Sequence, residues 1–191
     1  MLLKQFSIAH CYEHGSYLSI LTAGLRERCT ELCPEARAPK LGNHITLLPP
    51  FRAHEDEMRQ FAMGLSIARA LYGSEESHNY ADSCGIDFFR NPEEDVCILR
   101  VALPRAYHAM IEECRRRLSD FNEWVFPVLD DSYNPHICIL EGAGLYEKLR
   151  PALPELKKIA PLIHFTLPFP QIMEKITVGD TKRWVEFDPT K

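Results

Sequence analysis

Gly42-Asn43-His44-Ile45-Thr46-Leu47-Leu48 and Tyr133-Asn134-Pro135-His136-Ile137-Cys138-Ile139-Leu140 are two short segments written to one pattern. Each approaches through a turn-forming pair, Gly-Asn or Asn-Pro. Each then places a histidine, an isoleucine and a small polar or thiol residue ahead of aliphatic side chains. In a β-strand alternate side chains share a face. His44 and Thr46 therefore point one way and Ile45 and Leu47 the other. His136 and Cys138 point one way and Ile137 and Ile139 the other. Two strands, each buried on one side and carrying an imidazole on the other, are the material of a two-histidine site.

Working outward, residues 3–12 alternate as a strand with Phe6 and Ile8 on one face. Gly15-Ser16 opens a helix with an apolar stripe at Leu18, Leu21 and Leu25. Pro34 and Pro39 mark the loop that leads to the first histidine strand, which Pro49-Pro50 ends. Glu55-Asp56-Glu57 puts acid at a helix start, where the dipole favours it. Met58, Phe61, Ala62, Leu65, Ala68 and Tyr72 form the face of that helix, and Gly73 is its stop. Strands are expected over 78–89 and 94–103, with a turn at Asn91-Pro92 and the second strand buried on both faces. Pro104 begins a helix with the stripe Tyr107, Met110, Ile111, Cys114 and Leu118. Residues 120–134 read as a loop. The second histidine strand follows, then a helical stretch broken by Pro151 and Pro154. Strands are expected over 162–168, 171–179 and 182–188, with Gly179-Asp180 as the last turn. Strand, helix, histidine strand and helix thus occur in each half, a weak internal duplication that would bring 44–48 and 136–140 together at the centre.

Composition narrows the function classes. The 191 residues are 46% hydrophobic and 26% charged, ordinary for one soluble domain or a pair of lobes sharing a core. We take residues 1–191 as one bilobal unit and expect a monomer. The net charge of −5 argues against an extended nucleic-acid surface, which needs clustered Lys and Arg. It leaves room for a phosphate held in a cleft. No run is long enough to span a membrane, and Met1-Leu2-Leu3-Lys4 lacks a signal-peptide layout, so no membrane association and a cytoplasmic location are expected. The seven scattered cysteines contain no C-x-x-C and read as buried thiols of a reducing compartment. A zinc site usually needs three or four protein ligands and the motifs offer two imidazoles, so no metal and no cofactor are expected.

On His44-Ile45-Thr46-Leu47, on Tyr133-Asn134-Pro135-His136-Ile137-Cys138-Ile139 and on the element order, the sequence resembles the 2H phosphoesterase superfamily. That superfamily includes the 2′-5′ RNA ligase-like proteins and 2′,3′-cyclic phosphodiesterases. The resemblance implies a bilobal, pseudo-twofold α+β fold in which two antiparallel-rich sheets form a central cleft flanked by helices. It implies two H-x-T/S motifs on central strands, hence His44 and His136 as catalytic residues. Thr46 and Cys138 would hold phosphate oxygens, with Cys138 a departure from the usual Thr or Ser. A thiol donates more weakly than a hydroxyl.

Two imidazoles suffice for the chemistry. A neutral one takes a proton from water or a ribose hydroxyl, and a protonated one gives a proton to the leaving oxygen. The expected activity is a phosphodiesterase on 2′,3′-cyclic phosphates or 2′-5′ linkages of RNA ends or nucleotides. The alternatives are a nucleotide or RNA-end binding module with little catalysis, and a phosphodiesterase for a non-RNA cyclic phosphate. Phe51 and Tyr133 are candidates to stack on a base, against the simpler reading as wall or core, and Arg52 is a candidate phosphate contact. Ile163-His164-Phe165-Thr166-Leu167 is a third H-x-T and a rival to the His136 segment, but it lacks the turn before it and the helix after it. His10, His14, His54, His78 and His108 read as surface, loop or helix-face residues.

Overall fold

The structure is a computed structural model that describes residues 3–39, 43–72, 80–90, 92–118, 123–124, 134–160, 162–167 and 169–190. Its elements run β1 (Lys4–Cys11), α1 (Tyr17–Leu32), β2 (His44–Ala53), α2 (Glu55–Tyr72), β3 (Tyr80–Phe89), β4 (Asp95–Ala102), α3 (Arg105–Leu118), β5 (Glu123–Trp124), β6 (His136–Gly142), α4 (Leu145–Leu149), a 3₁₀ turn at Arg150–Ala152, α5 (Leu153–Ile159), β7 (His164–Thr166), β8 (Gln171–Val178) and β9 (Thr181–Glu186). The expected order holds, with one addition. Strand β5 is two residues long and too short to leave a periodic signal. Strand β2 does not end at Pro49-Pro50 as expected. It runs on to Ala53, and the prolines fall at a register irregularity, where the ladder asks nothing of their missing N–H groups. Gly73 and most of the loop expected over 120–134 lie outside the described residues.

Two antiparallel sheets result, ordered β5-β2-β1-β8-β9 and β6-β4-β3-β7. Helix α1 starts where Ser16 caps it, its hydroxyl accepting from Ser19 N–H at 3.2 Å. Helix α2 starts where the Glu57 carboxylate accepts from His54 N–H at 2.9 Å. Gly179, at φ 59°, makes the two-residue turn between β8 and β9, a backbone region that Gly enters without steric cost. One apolar cluster joins the inner faces of both sheets: Phe6, Ile8, Ile45, Leu47 and Phe51 from the first, Cys97, Leu99, Val101, Ile137 and Ile139 from the second.

The two halves interlock. Helix α1, made between β1 and β2, packs on β6 and on α4 and α5, so it lies on the second sheet. Its buried stripe, Leu18, Thr22, Leu25 and Cys29, ends at a thiol whose pKa is lowered chiefly by the neighbouring Cys97 of β4. Helix α3, made between β4 and β6, packs on β2 of the first sheet. Each β-α-β unit thus lends its helix to the other sheet. β4 is not buried on both faces throughout: Cys97, Ile98, Leu99 and Val101 are buried, but Arg100 is exposed.

The histidine strands occupy equivalent places. β2 pairs with β1, and β6 with β4, both antiparallel. Among the described residues β5 reaches β2 only at Phe51 and Arg52, so there the His44 end of β2 is an edge of its sheet, as β6 is of the other. Across that seam β2 and β6 touch.

Candidate active site

His44 and His136 are the first residues of β2 and β6. The alternation expected of both strands is what burial shows. His44, Thr46, His136 and Cys138 are half-buried, and Ile45, Leu47, Ile137 and Ile139 are buried. Tyr133 lies outside the described residues.

A residue that the motifs did not announce ties the two strands together. Arg26 of α1 donates from one terminal nitrogen to the Asn43 side-chain oxygen at 3.0 Å and from the other to the Cys138 carbonyl at 3.1 Å. Asn43 in turn donates to the Ser19 hydroxyl at 3.0 Å, and its carbonyl accepts from Tyr12 N–H at 3.1 Å. The residue before His44 and the residue two after His136 are therefore held by one planar cation, whose fork fixes a relative orientation as well as a distance. Farther along, Arg37 exchanges both backbone hydrogen bonds with Glu141 at 2.9 Å, closing the outer edge of β6 with the loop that precedes β2.

His136 is oriented from two sides. Its Nδ1 lies 2.8 Å from the Asn134 carbonyl, an acceptor only, so Nδ1 carries the proton and Nε2 is left for a ligand. Phe89 of β3 packs edge-to-face on the imidazole with ring centroids 4.7 Å apart. Burial lowers the His136 pKa below the ordinary imidazole value, partly opposed by the Asn134 hydrogen bond. Arg100 stands directly opposite His136 on β4, as Cys11 stands opposite His44 on β1, so in each pair the side chains share a face.

Burial also pushes the Cys138 thiol up to about 11, with Glu141 adding to the shift and Arg26 opposing it. At neutral pH the group is a neutral S–H, able to donate weakly, and not a thiolate that would repel a phosphate. Replacing Cys138 with Thr, which restores a hydroxyl at the same register, is expected to keep or raise turnover up to about tenfold. Steady-state kinetics of Cys138→Thr measure this, and a large fall at unchanged stability removes the oxygen-holding role.

Two sequence candidates are not brought to the histidines. Phe51 is fully buried, its ring centroid 6.3 Å from that of Phe6, so it has no face for a base and is a core residue. Arg52 is exposed but lies eight residues from His44 along β2, roughly 25 Å at about 3.3 Å per residue, too far to meet the same phosphate. His10 is a further correction. It is wholly buried on β1, edge-on to Tyr107 at 5.0 Å, and not a surface residue. His14 and His108 are exposed, as expected; His54 is half-buried, and His78 lies outside the described residues.

No protein-family model matches the sequence, and no curated protein does. Solved structures do. TT0787 of Thermus thermophilus aligns with a TM-score of 0.56 at 18% identity over 96% of this chain and 95% of that one. Usb1 of Kluyveromyces marxianus gives 0.49 at 9% identity over 96% and 98%, and E. coli LigT complexed with 3′-AMP gives 0.45 at 10% identity over 98% and 96%. At these identities the likeness is one of fold. The fold is the one that the 2H resemblance implied: α+β, two antiparallel sheets with helices against them, along nearly the whole chain. Among the described residues no helix is long and apolar enough to cross a membrane.

Proposed function

We propose that the protein is a phosphodiesterase of the 2H type that opens 2′,3′-cyclic phosphates, or cleaves 2′-5′ linkages, at RNA ends or in nucleotides. The observation that carries this is the Arg26 brace, which joins Asn43, beside His44, to Cys138, beside His136, across the seam where two strand edges meet.

In this reading His136, kept neutral by burial and with Nε2 free of its Asn134 hydrogen bond, is the base. Its Nε2 takes a proton from water as the water oxygen bonds to phosphorus. His44, as imidazolium, gives a proton to the ribose oxygen as the P–O bond breaks. The pair ends one proton exchanged and resets through solvent. The Thr46 hydroxyl and the Cys138 thiol donate to the non-bridging oxygens, where charge accumulates. No step in this sequence calls on a metal.

The lowered His136 pKa sets the pH dependence. The rate limb that requires neutral His136 should rise with an apparent pKa below the ordinary value of about 6.5. The same group links pH to folding. Its folded pKa is below its unfolded one, so its contribution to stability is complete above the unfolded value and is lost as pH falls through the folded value. A kcat/KM profile on a 2′,3′-cyclic mononucleotide, recorded with EDTA, checks this. A rising limb centred above about 7 assigns the base elsewhere.

A further inference from the structure

A third H-x-T takes no part in the seam. His164 and Thr166 are both exposed on β7, and register places His164 opposite Asp82, which is opposite Ala102 on β4, two residues beyond Arg100 and its partner His136. His164 and His136 therefore share one face of one sheet. Three interstrand spacings of about 4.8 Å and two residues of about 3.3 Å put their Cα positions roughly 16 Å apart. A phosphate at the histidine pair does not reach His164, but a longer ligand would.

The surroundings of His164 are built. Its Nδ1–H donates to Asp82 Oδ1 at 2.8 Å, which leaves Nε2 for a ligand. Tyr80 lies flat on its imidazole, centroids 4.6 Å apart and planes 14° apart. Beside this two-ring stack is a cavity of about 570 Å³ whose lining includes Tyr12, Glu13, Tyr17, Tyr80, His164 and Thr166. Tyr17 is 63% exposed, a large aromatic left to solvent beside an open cavity. Tyr12 leads back to the seam, since its N–H donates to the Asn43 carbonyl.

The charge on this cavity decides what it holds. Glu13 lines it and Asp82 stands behind His164, whereas no described lining residue is Lys or Arg. A phosphate is disfavoured there. A flat heterocycle is favoured: it can extend the Tyr80–His164 stack, and its N–H groups can donate to a carboxylate or to Nε2.

We infer that this cavity is a nucleobase pocket for a nucleotide distal to the reacting phosphate, so that the preferred substrate is a short single-stranded oligonucleotide rather than a mononucleotide. This rests on the proposed phosphodiesterase reading for its kinetic arm, and stands apart from it in its binding arm.

The kinetic arm compares a 2′,3′-cyclic mononucleotide with a four-nucleotide RNA ending in a 2′,3′-cyclic phosphate. The wild type should show the lower KM for the RNA. Tyr80→Ala and His164→Ala should each raise that KM about tenfold, leave kcat unchanged and leave both constants for the mononucleotide unchanged. Tyr80→Phe, which keeps the ring, should match wild type. Equal constants for the two substrates in the wild type, or equal losses on both in the variants, overturn the pocket. The binding arm uses a fluorescent four-nucleotide RNA with a 3′-phosphate and His136→Ala protein, followed by anisotropy. Added Tyr80→Ala should weaken binding about tenfold. Unchanged binding overturns the pocket even if the enzyme turns over well. Weakened binding supports it even if no cyclic phosphate is turned over, in which case only the catalytic reading fails.

Discussion

His44→Ala and His136→Ala are each expected to lower kcat on a 2′,3′-cyclic mononucleotide by about 10³-fold, with KM changed little. Each removes one of two proton transfers that occur in the same displacement. The double variant should therefore be scarcely worse than either single one, because an acid without its base, or the reverse, has little left to contribute. Both side chains are half-buried at strand starts, so neither loss should leave a large cavity or unfold the protein. Circular dichroism melts of the variants keep the two effects separate. His164→Ala is the internal control, since it carries the same chemistry on the same sheet but stands roughly 16 Å away. Activity on the mononucleotide lost in His164→Ala and retained in His136→Ala would reassign the second motif. A fall of less than tenfold in either motif variant, with folding intact, would leave a binding module as the better account.

Much of this arrangement is legible in the sequence because it depends on local periodicity. The alternation His44-Ile45-Thr46-Leu47 fixes which side of β2 carries the imidazole, and the stripe Tyr107, Ile111, Cys114 and Leu118 fixes the face of α3. The same alternation covers two further residues. Phe6, Ile8 and His10 have one parity on β1, so His10 belongs to the core with them. Phe51 has the parity of Ile45 and Leu47, and the two register irregularities between β1 and β2 each add one residue on β2, which together restore the alternation, so its burial follows as well.

What periodicity does not carry is the exchange of helices between sheets, or any contact whose partners are far apart in sequence. Phe89 against His136 and Arg26 against Cys138 join residues from different elements, and neither has a spacing that marks it. The nearest local signals are weak: Asn43 placed just before a histidine, and Arg26 directly after Leu25 at the border of the buried stripe of α1.

The brace yields the second large effect. Arg26→Met keeps the apolar stem of the side chain and removes the fork. It leaves the Asn43 side-chain oxygen and the Cys138 carbonyl without their donor in a part-buried seam, a loss of about 2 kcal/mol in unfolding free energy. The catalytic cost should exceed what stability alone implies. A small displacement of β2 against β6 moves one proton donor relative to the other, and kcat is expected to fall about 30-fold with the pH profile unaltered. Lysine offers a point charge in place of a planar fork and can meet one of the two acceptors well, so Arg26→Lys should recover part of the stability and less of the rate. If Arg26 works as a brace, Asn43 must be coupled to it. A double-mutant cycle of Arg26→Met and Asn43→Ala, read by denaturant unfolding, should then show a coupling of about 1 kcal/mol or more. Additive losses, or wild-type kcat in Arg26→Met, would mean that the seam is held by the strands and helices alone, and that Arg26 only covers it.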